Sequence, residues 1–582
     1  MTLLLIGYGI TAAVYSSFVL MLAFIVLGRK DLGSMLRESI DRYSLVALVA
    51  IVAFFLIFEL VYVHPAEQLY FDENIYQGIA LNILNSGNAL WCQLGTGYLK
   101  ACYANVIYHD PVGWAAFIAI AFAIAGIGTQ TAYALELLVG ALSIVFVFLL
   151  ASILLQRKDF AVVSALAMAV MPGLLIWSRT QADFDLPFMT LSVLSFFLFV
   201  AFIRRKSISS LAAFAFSLVL VSYIRLEAIL LVPIFALLMI VFGDRGLLET
   251  ARMRIGLVAK TAKDNTRALL ILLAFIVLLL PEIYYISIEA QNPAYGQPAS
   301  QQVLSISNFE TNIAQNSLFL TGETDIISSY PTVFHYVIFP LAIMGIAALL
   351  IRKGIRNRFG ILILLSVWFL TYFVFYTSFY AGSVLFGVDS RFMLQILPPT
   401  CVLAALGLVS IGDAGGAISR KMLRGRNAGR NARAVSLAVL SIASVVLLFY
   451  PFYTLMPLVT LPQSAMPQQG IIYPAITTFY ENYSVVPENC LVFSFTPEIW
   501  QEVNRSASQV GFIFGSNNQT VKSILSGYSC FVFDYGYWCR TAPYADTTCK
   551  SIVTSYKLEN LTYPPTQPNG TRVAFYKILN YS

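Results

Sequence analysis

The sequence is short of charge. Asp, Glu, Lys and Arg make up 11% of its 582 residues, where soluble domains carry about 25%. With 58% hydrophobic residues besides, the chain cannot coat a soluble globule or remain disordered. A cytosolic enzyme and a nucleic-acid binder are excluded. Walker-type loops, HExxH and GxSxG are missing, so nucleotide-driven pumping and hydrolase chemistry have no support. No CxxC pair occurs, which argues against a four-cysteine metal site. Internal repeats and low-complexity segments are absent as well.

Long apolar runs are what the chain has instead. They recur from Thr2 to Pro457, each bounded by a short polar segment, and a bilayer core needs about 20 apolar residues per helix. Lys and Arg sort into alternate loops: Arg29–Arg42, Arg157–Lys158, Arg204–Lys206, Arg245–Arg267, Arg352–Arg358 and Arg420–Arg433 hold 25 of the 36 basic residues. The intervening loops hold only Lys100, Arg179, Arg225 and Arg391. The positive-inside rule puts the six clusters in the cytoplasm. That parity holds only if residues 112–126 lie in the interface without crossing. The expectation is an all-α polytopic protein of about twelve spans with a long first external loop, 64–130. Residues 3–27 lack a basic residue ahead of them, the reverse of a secretory leader, so an anchor helix with its N-terminus outside is expected.

The tail from about Gln463 differs in character. It holds all six Asn-x-Ser/Thr sequons, at Asn482, Asn504, Asn518, Asn560, Asn569 and Asn580. It also holds Cys490, Cys530, Cys539 and Cys549, while Cys92 and Cys102 stand in the first external loop. Acceptor sequons and paired cysteines both belong outside the cell, so disulfides are expected. Cys401 is mid-helix and a small buried hydrophobe. Short β-rich runs at 490–495, 511–514, 530–533 and 573–579 suggest a mixed α/β domain, with helices near 497–504 and 520–525. The layout is an anchor helix and loop (1–43), a membrane domain (44–463) and an outer domain (464–582). A multi-pass protein of the plasma membrane with an extracellular tail follows.

The chemistry must come from polar residues at outer helix ends. Asp72-Glu73 lies just beyond a span; it can supply a general base or merely favour a helix N-terminus. Asp183 and Asp185 sit in a short external turn, and one of them can be a simple cap before Leu186-Pro187. Arg225 and Glu227 share a connection so short that both lie at membrane depth, and Asp389-Ser390-Arg391 precedes another helix. Ionisable groups there are expensive and default to function, though Arg225 and Glu227 can simply pair. Two outward arginines suit a lipid phosphate, which guanidinium holds bidentately.

Tyr70-Phe71-Asp72-Glu73-Asn74-Ile75-Tyr76 resembles the acidic motif opening the first external loop of the GT-C glycosyltransferases, closest to the protein O-mannosyltransferases and lipid A aminoarabinose transferases. Tyr108-His109-Asp110-Pro111-Val112-Gly113 is similar to their segment leading an interfacial helix. Met171-Pro172 through Asp185-Leu186-Pro187 and Ser390-Arg391 through Pro398-Pro399 also resemble family stretches, in order and on the same membrane side. Three departures stand out: Glu136-Leu137 where Arg-Leu is common, Asp110 in place of a first proline, and Arg225 where relatives place a lysine.

The resemblance implies transfer of a hexose such as mannose from a polyprenyl- or dolichyl-phosphate carrier to a glycan, protein or lipid acceptor, with inversion. Asp72 would be the base, Arg225 and Arg391 the donors to the leaving phosphate. Glu73, Asp183, Asp185, Glu227, His109 and Asp110 would position acceptor and sugar. Membrane lipids are partners, nucleic acid is not, and no cofactor is expected. An oligosaccharyltransferase-like alternative has Asp72, Asp183 and Asp185 holding Mg²⁺ or Mn²⁺; Phe533-Asp534-Tyr535-Gly536 looks like that family's signature, but lacks both tryptophans. A transporter or sensor is the reading from another class; matched halves and a cytoplasmic output domain, which these need, are not seen. Two expectations are sharp. Asp72, Asp185, Arg225 and Arg391 should line one outward cavity with His109 near its rim, and Asp183 should point away from Asp72 if no metal is used. The loop 287–333, with Glu289, Glu310, Glu323 and Asp325, is either a cover or a plain connector.

Overall fold

The computed structural model describes residues 2–63, 71–179, 182–242, 262–289, 304–321, 337–351, 358–380, 382, 388–422, 428–454, 479–514, 519–536, 538–541, 543–562 and 574–579. The sequons Asn518, Asn569 and Asn580, and Glu323 and Asp325 of the 287–333 loop, lie outside them.

Among the described residues seven helices are long and apolar enough to cross a bilayer: Leu3–Leu27, Arg42–Tyr62, Thr129–Leu155, Asp185–Arg205, Thr266–Ile288, Arg358–Ser378 and the segment Arg391–Lys421. Shorter apolar helices follow the other expected runs, among them Ile208–Ile224, Leu226–Phe242, Ile338–Ile351 and Ala434–Leu447. The run 160–177 is broken into Lys158–Ala169 and Pro172–Trp177. Pro172 has no amide hydrogen to continue the ladder, and it stands at the first position of the second helix, where none is needed. Gly113–Ala125 has 13 residues, about 20 Å of helix against a core of about 30 Å. It closes at Gly126 and Gly128, whose φ angles of 95° and 151° suit glycine.

The ends of the bundle differ. At one end Arg157 reaches Asp413 at 3.0 Å and Arg205 reaches Glu38 at 3.2 Å, and Lys158 pairs with Asp41. Four expected cytoplasmic loops or helix ends meet there. The other end of the helix Asp185–Arg205, about 30 Å away, carries the acidic turn. Basic clusters and candidate site therefore occupy opposite ends of the bundle.

Among the described residues the tail and the first external loop together form a seven-stranded sheet in the order β2-β1-β4-β3-β5-β7-β6. β1 (Trp91–Gly95) and β2 (Cys102–Val106) come from the first external loop; β3 (Cys490–Ser494), β4 (Ser506–Gln509), β5 (Cys530–Tyr535), β6 (Leu558–Asn560) and β7 (Ala574–Ile578) come from the tail. β3 is parallel to β4 and β5, and β1 joins antiparallel to β4 through Leu94–Ser508 and Gly95–Ala507. The outer unit is thus not confined to 464–582, because the first-loop hairpin completes its sheet. Cys490–Cys530 ties β3 to β5, Cys92–Cys102 clamps the hairpin, and Cys539–Cys549 closes a third loop. Cys401 is buried and free. One strand expectation fails: Val510–Phe514 is a 3-10 turn. Val510 and Ile513 are its buried residues, and the i, i+3 spacing stacks them on one side of such a turn. The helix Pro543–Ser555 was not foreseen.

Candidate functional site

Four segments bring charge to one place. The helix Phe71–Ser86 begins with Asp72 and Glu73; the turn at 182–184 and the start of helix Asp185–Arg205 bring Asp183 and Asp185; Arg225 terminates helix Ile208–Ile224 in an extended conformation; Arg391 lies in the 3-10 stretch Val388–Ile396. Arg391 is the hub. Its guanidinium reaches Asp72 at 3.5 Å and Asp185 at 3.3 Å, and pairs with Asp183. Arg225 pairs with the same Asp185 and donates from Nε to Glu227 at 2.8 Å. Three aromatic rings surround Arg225, with Phe184 and Phe392 at 4.7 and 4.8 Å and Tyr376 at 5.8 Å.

The expected convergence of Asp72, Asp185, Arg225 and Arg391 is therefore present, with two differences. The tips close on one another rather than ringing an open cavity: side-chain exposure is 5% for Asp185, 6% for Arg225, 11% for Arg391 and 22% for Asp72. Asp183 does not point away from Asp72, since both take the same guanidinium. Two cations are not enough for four carboxylates there, and a buried guanidinium recruits each acid within reach. Burial pushes Asp183 up to about 6, with the Asp72 charge adding and Arg391 opposing.

Around this core, Glu73 is buried and accepts from the Ala182 amide at 3.4 Å. Glu136, also buried, lies near enough to Asp183 and Glu73 for like-charge interaction. His109 pairs with Asp110 at 3.2 Å, the two being 33% and 25% exposed. Burial works against charge on Asp110, but the His109 hydrogen bond and the charges of His109, Arg225 and Arg391 hold its carboxyl below the usual range. Asp389 has no described side chain. Glu310 falls in the helix Ile306–Leu320.

The sequence singled out Tyr108 only as part of a motif. Its hydroxyl donates to Asp72 Oδ1. Burial, and next the Asp72 charge, hold that phenol well above its ordinary value, so it remains a donor. The Tyr285 hydroxyl pins the Tyr108 backbone on both sides, accepting from its amide at 2.9 Å and donating to its carbonyl at 2.6 Å. Asp534, from the Asp-Tyr-Gly run, is elsewhere. It accepts from Ser494 and Trp500 at 2.7 and 2.9 Å inside the outer sheet domain, and burial followed by these opposing bonds leaves it raised.

A divalent cation would need several carboxylate oxygens turned toward one point. Asp72, Asp183 and Asp185 direct theirs at Arg391 instead. Among the described residues no group of three or more His, Cys, Asp or Glu side chains could hold a metal ion.

The fold is that of a polytopic helical membrane protein with a charged cluster at its helix ends, and it is similar to solved GT-C structures. Residues 109–261 match the family model described as dolichyl-phosphate-mannose-protein mannosyltransferase. The chain superposes on ArnT from Cupriavidus metallidurans in the apo state with a TM-score of 0.53 at 14% identity, covering 92% of this chain and 97% of that one. On the same protein bound to undecaprenyl phosphate the TM-score is 0.55, again at 14% identity, with 92% and 98% covered. No curated protein matches the sequence.

Proposed function

We propose that this protein is an inverting glycosyltransferase that moves a sugar, a hexose such as mannose, from a polyprenyl-phosphate carrier to an acceptor hydroxyl at the outer face of the plasma membrane. The observation that carries this is the contact of Arg391 with Asp72, a pair 319 residues apart in sequence. It brings a cation suited to phosphate and a carboxylate suited to general-base work into one site, within the span of a single donor sugar. The matched mannosyltransferase segment and the carrier lipid bound to the ArnT fold-mate support the substrate class.

In the reaction, Asp72 takes the proton of the acceptor hydroxyl. The acceptor oxygen attacks the anomeric carbon from the face opposite the phosphate, and the carbon–oxygen bond to phosphate breaks with its electron pair on the phosphate oxygen. Arg391 stabilises that charge. Arg225 is already held by Asp185 and Glu227. It therefore acts by fixing Asp185 against Arg391 rather than as a second free phosphate donor. Glu73, His109 and Asp110 border the acceptor side.

A metal-dependent, oligosaccharyltransferase-like reaction is the second reading. One observation favours it: Asp72, Asp183 and Asp185 already gather on a single cation.

The test uses purified full-length chain with dolichyl-phosphate mannose, following release of dolichyl phosphate by mass spectrometry. Asp72→Asn should lower turnover by about 10²–10⁴-fold, the usual worth of a general base. Wild-type turnover in that variant would remove Asp72 from the role.

A further inference from the structure

One buried side chain of the outer domain that the mechanism does not use lies against the helix carrying Asp72. Glu498, on the short helix Pro497–Glu502, is fully buried. Its Oε1 accepts from the Trp91 indole, and its Oε2 has no hydrogen-bond partner among the described residues. It lies against the helix that carries Asp72: a Cβ added at Gly78 would stand 2.5 Å from Glu498 Cγ. Trp91 opens β1, the strand that joins the outer sheet, and its ring packs edge-on against Tyr108 with centroids 6.0 Å apart. Tyr108 donates to Asp72. Three consecutive contacts thus lead from the outer domain to the candidate base.

We infer that Glu498 and Trp91 are positioning residues through which the outer domain sets Tyr108, and with it the orientation of Asp72, for transfer. The inference rests on the reading of Asp72 as base. A buried acid with an idle oxygen is costly. An amide or apolar residue of similar size would fill the same space against Gly78. What the carboxyl adds is an acceptor fixing the indole N–H, and the indole in turn limits where the Tyr108 ring can lie. Tyr285 holds the backbone of Tyr108, so its ring direction is what Trp91, together with Tyr76 and His109, bears on. Gain of the outer domain's fold and gain of a competent base are in this way linked: without β1 docked on β4, Trp91 has no Glu498.

The experiment compares Glu498→Ala, Glu498→Gln and Trp91→Phe with wild type in the full-length chain, by hydrogen exchange of residues 104–110 and by kcat and KM with dolichyl-phosphate mannose. Glu498→Ala and Trp91→Phe should each speed exchange at 104–110 several-fold. They should lower kcat by roughly tenfold at unchanged KM, a loss on the scale of a sub-ångström misplacement. Glu498→Gln, which keeps an acceptor for the indole, should restore both. Exchange changes confined to 91–95 and 497–509, or wild-type kcat in the first two variants, would overturn the inference and leave Glu498 as packing. Asp72→Asn run alongside separates the failures. If it turns over normally the base assignment falls, while exchange at 104–110 still decides whether the outer domain sets Tyr108.

Discussion

Arg225 and Arg391 share Asp185 and the rings of Phe184 and Phe392, yet their carboxylate partners differ. Arg225 is enclosed: Asp185 and Glu227 take its nitrogens, three aromatic rings cover its faces, and its side chain is 6% exposed. Arg391 is stretched across three carboxylates, one of them the 22%-exposed Asp72. The first arrangement is a closed ion-pair network, the second a hub with one open side. What differs is the exposure of the partners: Asp185 and Glu227 are 5% and 13% exposed, Asp72 22%.

Breaking the closed network should have the largest effect. Arg225→Met leaves the buried Asp185 and the partly buried Glu227 beside one cation fewer. Removing one partner of a buried pair costs about 3–5 kcal/mol. The expected result is loss of the folded, monodisperse peak in detergent by size-exclusion fluorescence, with partial recovery when Asp185→Asn is added. A stable, active Arg225→Met protein would contradict the division between the two arginines.

The hub should instead fail in chemistry. Arg391→Lys keeps a charge but cannot serve three carboxylates and a phosphate from one planar fork. Turnover should fall by about 10²–10³-fold, the worth of one transition-state donor, while the elution profile stays as in wild type. If Arg391→Lys unfolded and Arg225→Met did not, the assignments would have to be exchanged.

The sequence made much of this legible because membrane depth is severe on charge. Asp72, Asp185, Arg225 and Arg391 stand out against apolar runs, and a shared site is the simplest reason for their being there. Its silence about Trp91, Glu498 and the role of Tyr108 has a physical cause. Aromatics are common in this chain, at 14%, and a glutamate in a polar tail carries no signal until burial is known. The hairpin was hidden for a similar reason. β1 pairs with a strand more than 400 residues later, and no local pattern in Trp91–Gly95 announces that partner. Asp183 was misplaced because the extended spacing of an i, i+2 pair spreads two carboxylates, whereas the turn at 182–184 folds both onto Arg391.

A smaller effect tests the link between the two halves of the molecule. Burial pushes the Glu498 carboxyl up to about 8, against the Trp91 hydrogen bond. Its folded value therefore exceeds the unfolded one, and the folded state holds the proton more tightly. Stability is then undiminished below about pH 4.5, the ordinary value for Glu, and declines as pH rises toward 8. Glu498→Gln cannot ionise, so its melting temperature should fall less between pH 6 and 8 than that of wild type, by a few degrees. Parallel melting curves would show that the carboxyl is charged and solvated at neutral pH.

The last comparison sets Arg391 against a metal ion, and the expected effect is none. Both would gather Asp72, Asp183 and Asp185, and both would meet the leaving phosphate. They cannot do so together without rearrangement. A cation needs oxygens at roughly 2.0–2.6 Å, and the carboxylates are already turned to guanidinium nitrogens. If Arg391 is the phosphate's partner, EDTA should leave dolichyl-phosphate mannose turnover unchanged and Mn²⁺ should not raise it. In the Arg391→Lys background the carboxylates lose their shared fork and become open to a divalent ion, so Mn²⁺ should then restore part of the lost rate. Wild-type activity that disappears with EDTA and returns with Mn²⁺ would reverse the comparison, making Arg391 the placeholder and the three aspartates the ligands.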